Sequence, residues 1–236
     1  MQEAEFVIPN NKAELREYEF TLVLSGYEQI DSRLEDGLFE AGCDDALLRS
    51  LDGCLLVDFT RVGESFDKAV LGAIRDVESA DLGITVSRIQ PENYVTASEI
   101  ARRTGRSRES IRQLIEGERG SGGFPAPITN IGKMSPAWLW ADITPWLTKH
   151  GLVDKSCESI AVSMVVMNAL IDISRWPETF EYTMEQIWNM GEEQGQRASS
   201  LVQDLKRIFI QSTGYVKATK NTLRNYPGFW GDQIAA

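Results

Sequence analysis

The N-terminal part of the chain alternates between strand-like and helix-like spacing of its hydrophobic residues. Residues 18–25, YEFTLVLS, have the β-branched and aromatic content of a strand, and Gly26 ends it. Residues 29–41 carry apolar side chains at spacings of four, four and three, which predicts a helix. Residues 65–80 predict the most regular amphipathic helix, with apolar residues on one face and mainly charged residues on the other.

Two further short strands are predicted in the same region, LLVDF at 55–59 and GITVSRIQ at 83–90. The order of elements predicts an α+β protein that begins with a small α/β sandwich of ferredoxin-like type over residues 18–92, after a flexible arm over 1–17. A fourth strand would be missing or supplied elsewhere. The module is interpreted either as a partner-binding or sensing unit or as a dimerisation scaffold.

Residues 95–118, VTASEIARRTGRSRESIRQLIEGE, carry the pattern of two short helices joined by a tight turn. Thr96, followed three residues later by a glutamate, predicts a capping box for the first helix, and Ser107 is the expected N-cap of the second. Ala101 is small where the helices would cross, and Gly105 suits the left-handed backbone of a turn. The segment therefore predicts a helix-turn-helix.

The outer face of the second helix carries side chains that can recognise bases, because arginine pairs with guanine and glutamine with adenine. Arg102, Arg103 and Arg106 flank the turn, where long cations would meet phosphates. The residues expected to contact DNA from the second helix are Ser107, Arg108, Arg112 and Gln113. In the alternative, the arginines only form a solvated face with three acids: Glu99, Glu109 and Glu116.

The following residues predict a wing. A glycine-rich run at 120–123 leads into an extended segment, a strand returns at 138–140, and Lys133 lies near the expected tip of the hairpin. A short helix over 142–149 tolerates Pro145 if the proline falls in its first turn. Four aromatic residues are expected to form the core of the wing: Phe124, Trp138, Trp140 and Trp146.

Residues 96–147 carry a resemblance to a known family. The run T-x-x-E-I-A-x-x-x-G-R-S-R-x-S-I-R, then G-x-F-P-x-P and W-x-W-x-D-I-x-x-W-L, resembles the winged helix-turn-helix of MerR-like and AlpA (excisionase)-like bacterial proteins. The resemblance covers about 52 of 236 residues. It implies binding to double-stranded DNA, with the second helix in the major groove and the wing, here through Lys133, on the backbone or minor groove. The wing departs from the family in having few basic residues.

Residues 155–236 predict a helical oligomerisation or partner-binding region, with helical patterns at 157–173, 180–190 and 201–210. The apolar stretch at 160–173 is too short and too interrupted by polar residues to span a bilayer. It is expected to form a homodimer interface or the docking surface of a protein partner. The alternative is a buried helix of a compact bundle.

Charge is distributed unevenly within a net charge of -11. Residues 1–95 hold 8 basic and 20 acidic side chains, a balance of -12, whereas residues 96–150 hold 8 and 5, a balance of +3. The remaining residues, 151–236, hold 8 and 10, a balance of -2. The local basic segment is the expected site for a polyanion, and the acidic first module suits a basic protein partner.

Candidate chemistry outside this segment is sparse. One histidine, His150, and three cysteines at scattered positions predict neither a metal site nor a cofactor, so the chain is not expected to be an enzyme. A magnesium nuclease built on Asp44, Asp45 and Asp58 is the weaker alternative. With no signal sequence in view, the chain is expected in the cytoplasm.

Two functions follow as hypotheses. The first is a sequence-specific, dimeric bacterial transcription regulator that binds double-stranded DNA. The second is an antitoxin-like or defence-system protein that masks a protein partner and regulates its own expression through DNA binding.

Overall fold

The computed structural model describes residues 15–131 and 135–194 as a mixed α+β structure with a four-stranded antiparallel sheet and seven helices. The strands are β1 (Arg16–Ser25), β2 (Ala46–Leu51), β3 (Cys54–Gly63), β4 (Thr85–Gln90), β5 (Tyr94–Thr96) and β6 (Ala137–Leu139). The helices are α1 (Ser32–Glu40), α2 (Phe66–Glu78), α3 (Ala97–Arg103), α4 (Arg108–Ile115), α5 (Trp140–Lys149), α6 (Ser156–Ser174) and α7 (Pro177–Gln194). The chain divides into two units, Met1–Asp172 and Ile173–Ala236.

The sheet has the strand order β2-β3-β1-β4, with every neighbouring pair antiparallel. Alternate residues of β1 face a common core with α1 and α2, because side chains of a strand point to opposite faces. Phe20, Leu22 and Leu24 are buried there beside Leu34 of α1 and Val70 of α2. The helices therefore cover one face of the sheet.

Strand β2 is the fourth strand that the sequence pattern leaves unassigned. It forms a hairpin with β3 through the two-residue turn Asp52-Gly53, whose φ angles of 51° and 78° suit the mirror-image turn that tight hairpins favour. The Asp-Gly pair is a hairpin signal, but ALLRSL lacks the β-branched residues and the alternation by which strands are usually recognised. Strand β1 also begins earlier than expected, so Arg16 and Glu17 belong to the sheet and not to the arm.

Helix α6 covers the outer edge of β4. The carboxamide of Asn168 accepts a hydrogen bond from the backbone N–H of Ile89 at 2.9 Å and donates one to its carbonyl oxygen at 3.0 Å. A neighbouring strand would make this same pair of bonds, so Asn168 occupies backbone groups that an exposed edge would leave open. Nearer the start of the strand, the N–H of Val86 donates to the carboxylate of Glu78 at 3.1 Å.

The same helix has an apolar face that these contacts leave open. Met164 and Met167 pack into the core of the sheet, whereas Val162, Val166 and Leu170 are exposed. Within the described residues, α6 is also the one helix that is long and apolar enough to cross a membrane, with a mean hydropathy of 1.5. The predicted homodimer interface on this stretch stays a prediction.

The second unit is described as far as residue 194. Helix α6 ends at Ser174 and α7 begins at Pro177, as the Trp-Pro pair between them indicates. The division between the units falls after Asp172, within α6, and therefore differs from the boundary near residue 155 that the sequence suggests. The helical pattern expected at 201–210 lies outside the described residues.

Candidate nucleic-acid interface

Helices α3 and α4 form a tight pair joined by residues 104–107. Both begin at the predicted caps: the Thr96 hydroxyl accepts from the Glu99 N–H, and the Ser107 hydroxyl from the Ser110 N–H. Gly105 has φ +63°, and the N–H of the next residue donates to the Ala101 carbonyl at 2.9 Å. This is the glycine helix end known as the Schellman motif, and it directs the chain into α4 at a fixed angle.

The facing sides of the two helices are buried as the spacing predicts. Ile100 and Ala101 of α3 share a core with Ile111 and Leu114 of α4, and Trp138 of β6 closes this core. The two buried side chains of α4, Ile111 and Leu114, fix which side of this helix faces outward, because a helix with one buried stripe exposes the opposite one.

The outer face of α4 holds the residues predicted for DNA contact. Ser107, Arg108 and Arg112 are exposed, and Gln113 is half-buried. Among the described residues, the guanidinium groups of Arg106 and Arg108 form no ion pair. They lie at the N-terminal end of α4, where the partial positive charge of the helix adds to theirs.

Arg112 is held by carboxylates of its own surface. Its guanidinium donates to Glu109 at 2.7 and 3.0 Å, to Glu116, and to Glu118 at 3.3 Å. Gln113 donates to the same Glu109 at 3.1 Å. The hydrogen bonds from Arg112 lower the pKa of the Glu109 carboxyl below its ordinary value. The outer part of α4 is therefore an ion-paired cluster, which we call the α4 clamp (Glu109, Arg112, Glu116 and Glu118).

The arginines of α3 serve a second ion-paired cluster. Arg102 donates to Glu99 at 2.7 and 2.9 Å, and Arg103 donates to it at 2.8 Å. These bonds lower the pKa of Glu99 to about 2, with Arg102 the largest cause. Glu99 binds these arginines, whereas the predicted capping box would require its carboxylate to return to Thr96.

Arg103, predicted to meet phosphates beside the turn, is largely buried. Its side chain is 9 % exposed, lies 4.9 Å over the ring of Trp140, and donates to the backbone carbonyl of Glu92 at 2.7 Å. Burial lowers its pKa from the ordinary arginine value. Its position among a ring, a carboxylate and a carbonyl makes it part of the packing between α3 and α5 and leaves little of the side chain exposed for the predicted phosphate contact.

The region predicted as a wing contains a two-stranded sheet beside buried aromatic residues. Strand β5 lies antiparallel to β6, and Ala137 also forms an antiparallel bridge with Thr129. Trp138 is buried, and its indole N–H donates to the Pro125 carbonyl at 2.8 Å. Phe124, Trp140 and Trp146 pack around Trp138, but this is the core shared with α3 and α4 and not a separate core of the predicted wing. Lys133, near the expected wing tip, lies outside the described residues.

Helix α5 begins earlier than predicted, so Pro145 is its sixth residue and falls beyond the first turn. Proline cannot donate to the carbonyl four residues back, which is that of Ala141. The Thr144 hydroxyl, which is fully buried, donates to this carbonyl at 3.2 Å. A side chain thus replaces the missing backbone bond and the helix continues through the proline.

His150 caps the C-terminal end of α5, and its imidazole contacts the glycine-rich segment. One ring nitrogen, Nε2, lies 2.6 Å from the Ser121 hydroxyl, and Nδ1 lies 2.7 Å from the carbonyl oxygen of Trp146. The imidazole also stacks on the indole of Trp146 at 3.8 Å between ring centroids. The glycine-rich run is therefore anchored at Ser121.

The acids of the nuclease alternative are bound by separate arginines. Asp45 accepts from Arg61 at 2.7 and 2.8 Å, whereas Asp58 accepts from Arg49 at 3.1 Å and from Thr21 at 2.5 Å. Arg49 and Asp58 lie on the sheet face opposite to the side of β3 that holds Arg61, because 58 and 61 have opposite parity on that strand. The structure does not gather these acids into one site.

Sequence reasoning missed Glu118 and the extent of the α4 clamp. The spacing of Glu109, Arg112 and Glu116, at i, i+3 and i+7, is a sequence signal for such pairs on one helix face. Glu118 lies beyond the end of α4, so its approach to Arg112 depends on the path of the chain after the helix. The alternative of a solvated face thus describes Arg102 and Arg112, but not Arg106 or Arg108.

Comparisons of the chain with models of protein families, with curated proteins and with solved structures find no match.

Proposed function

We propose that this chain binds double-stranded DNA through a winged helix-turn-helix over residues 95–150, with α4 as the recognition helix, and acts as a cytoplasmic transcription regulator. The observation that carries the proposal is that Arg106 and Arg108, at the capped N-terminus of α4, are exposed and form no ion pair with any residue that the structure describes. In helix-turn-helix proteins this end of the second helix contacts base edges. The strand order of the first module supports its interpretation as a ferredoxin-like unit.

The candidate DNA contacts differ in whether carboxylates of the same surface already bind their side chains. Arg108 and Ser107 begin α4, so they are proposed to reach the major groove, and Arg106 on the preceding turn is proposed to meet a phosphate. Arg112 and Gln113 would need to leave Glu109 before they could pair with a base. Arg102 is exposed but shares Glu99, which makes it a weaker phosphate contact.

The α4 clamp gives the proposed interface an unusual dependence on sequence. Three carboxylates near α4 repel phosphates, which weakens non-specific binding that relies on charge alone. Binding to DNA would break hydrogen bonds within the α4 clamp. A DNA sequence that places a guanine beside an arginine, or the exocyclic amine of a cytosine beside Glu109, would replace them with hydrogen bonds to bases. We therefore propose that the chain relies on base contacts more than on the backbone.

The test begins with selection of binding sequences from a pool of randomised duplexes, followed by titration of the selected duplex in a gel-shift assay. Replacing Arg108→Ala should weaken binding by about tenfold to a hundredfold, the usual value of one good base contact. Arg75→Ala is the matched control, because this arginine is 78 % exposed on α2. The double variant R108A/R112A should show no specific binding while its circular dichroism spectrum stays that of the parent.

A second pair of variants tests the role of the clamp. Glu116→Gln and Glu118→Gln together should strengthen binding to a duplex of unrelated sequence several-fold at low salt, because two repulsive charges are removed. Selection of no sequence by the parent chain, or equal binding by R108A and the parent, would contradict the proposal.

A further inference from the structure

The two edges of the four-stranded sheet differ in how their backbone groups are occupied. On β4, Asn168 binds the N–H and carbonyl of Ile89, and Glu78 binds the N–H of Val86. On β2, the hairpin register leaves the corresponding groups of Leu48 and Ser50 directed away from β3, because residues that face each other in an antiparallel pair alternate in bonding. Within the described ranges, these outward groups of β2 make no hydrogen bond.

The open edge is bordered by exposed apolar surface. Phe39 of α1 is 68 % exposed and Leu47 of β2 is 66 % exposed, and both line a hollow of about 250 Å³ beside the strand. Leu38 and Leu48 belong to the same lining. Soluble proteins usually protect a sheet edge with charge, proline or a covering element, and the other edge of this sheet is covered in that way.

The negative charge beside the β2 edge favours a basic partner strand over an acidic one. Glu35 and Asp44 line the hollow, and its lining includes no basic residue. A second copy of the chain would bring the same acids against themselves, whereas a basic segment would be attracted. The balance of -12 over residues 1–95 extends the preference over the whole module.

We propose that the β2 edge and its hollow bind an extended segment of another protein, with alternating apolar and basic side chains, that adds to the sheet as a fifth strand. The outward groups of Leu48 and Ser50 supply the backbone hydrogen bonds, the hollow takes an apolar side chain, and Glu35 and Asp44 attract the basic ones. This surface is separate from α4, so its failure would leave the proposed DNA binding untouched.

The probe is an acetylated and amidated octapeptide of alternating valine and lysine, compared with its valine–glutamate counterpart. Each is titrated into the full ¹⁵N-labelled chain while amide shifts are followed by NMR. The lysine peptide should perturb the amides of Leu48 and Ser50 in a saturable manner and bind at least tenfold more tightly than the glutamate peptide, as opposite charge favours.

Two variants separate the backbone contribution from the charge contribution. Ser50→Pro removes one outward N–H without disturbing a bond to β3, and it should weaken the lysine peptide about tenfold, whereas Ser50→Thr should bind as the parent does. If the proline variant fails to fold, E35K/D44K keeps the test open, because it should reverse the order of the two peptides. Exposed Leu71 on α2 provides the control L71S, which should change neither affinity.

Saturable binding of the lysine peptide that E35K/D44K reverses supports the proposal. Absence of shifts at residues 46–51, or equal affinity for both peptides, overturns it. A concentration-dependent dimer in light scattering that Ser50→Pro dissociates also overturns it, because a second copy would then occupy the edge.

Discussion

The hydrogen bonds of Asn168 offer a sharp test of how α6 is held on the sheet. Asn168 is 1 % exposed and Ile89 is fully buried, so the variant Asn168→Ala would leave the N–H and the carbonyl of Ile89 without a partner in a dry environment. An unsatisfied buried group costs about 1–3 kcal/mol. Two such groups are lost here, and water that enters the space left by the side chain would satisfy them in part. We therefore expect a loss of about 3 kcal/mol in the free energy of unfolding.

The assay is unfolding in urea, monitored by circular dichroism. The slope of the free energy of unfolding against urea concentration should be the same for the variant and the parent. For a chain of this size, a loss of 3 kcal/mol corresponds to a fall of about 10 °C in Tm. Val166→Ala on the exposed side of the same helix is the control, and it should change stability by less than about 0.5 kcal/mol. The amide of Ile89 should also exchange with solvent at least tenfold faster in the alanine variant. A loss below 1 kcal/mol, with exchange at Ile89 unchanged, would refute this reasoning.

Three further predictions concern the α3–α4 pair. The pKa of Glu99 lies at about 2 against an ordinary 4.5, so its ion pairs contribute fully above pH 4.5 and are lost as the pH falls towards 2. This difference in pKa corresponds to about 3 kcal/mol of stability, and the partial exposure of Glu99 reduces it to about 2 kcal/mol. In urea titrations, Glu99→Gln should therefore lower the free energy of unfolding at pH 7 but not at pH 2. Gly105→Ala should lower the free energy of unfolding by about 1 kcal/mol, because φ at this position is +63°. Gly72→Ala, within α2, should raise it slightly in the same assay. An equal effect at both positions would contradict the role of Gly105 in the turn. Arg103→Met keeps the bulk over Trp140 but leaves Glu99 with one partner, and a melting temperature equal to that of the parent would show that the charge of Arg103 is dispensable.

The local elements were predictable where a side chain signals its own backbone geometry. Thr96, Ser107 and Gly105 indicate where α3 and α4 begin and end, because a cap or a left-handed turn restricts the residue at that position. The strand β2 was missed because its stabilisation comes from pairing with β3 and from partial burial of Leu48 against the core. Pairing with another strand produces little recognisable pattern in a sequence of six residues.

The partners of the charged residues were harder to predict than the elements that carry them. An arginine beside a turn can point to solvent or fold back, and the choice for Arg103 depends on Trp140, which lies thirty-seven positions later in the chain. Likewise, Asn168 reads from sequence as an interruption of an apolar helix, yet it makes the contacts that join that helix to β4. Long-range partners of this kind emerge only when the sheet and helices are assembled.

The most direct test of the proposed DNA binding is an NMR titration of the ¹⁵N-labelled chain with the selected duplex. The account predicts that the largest amide shifts fall on residues 106–113, at the turn and the first turns of α4, and that β1 to β4 stay unchanged. Shifts confined to the four-stranded sheet, or none at saturating duplex, would contradict it.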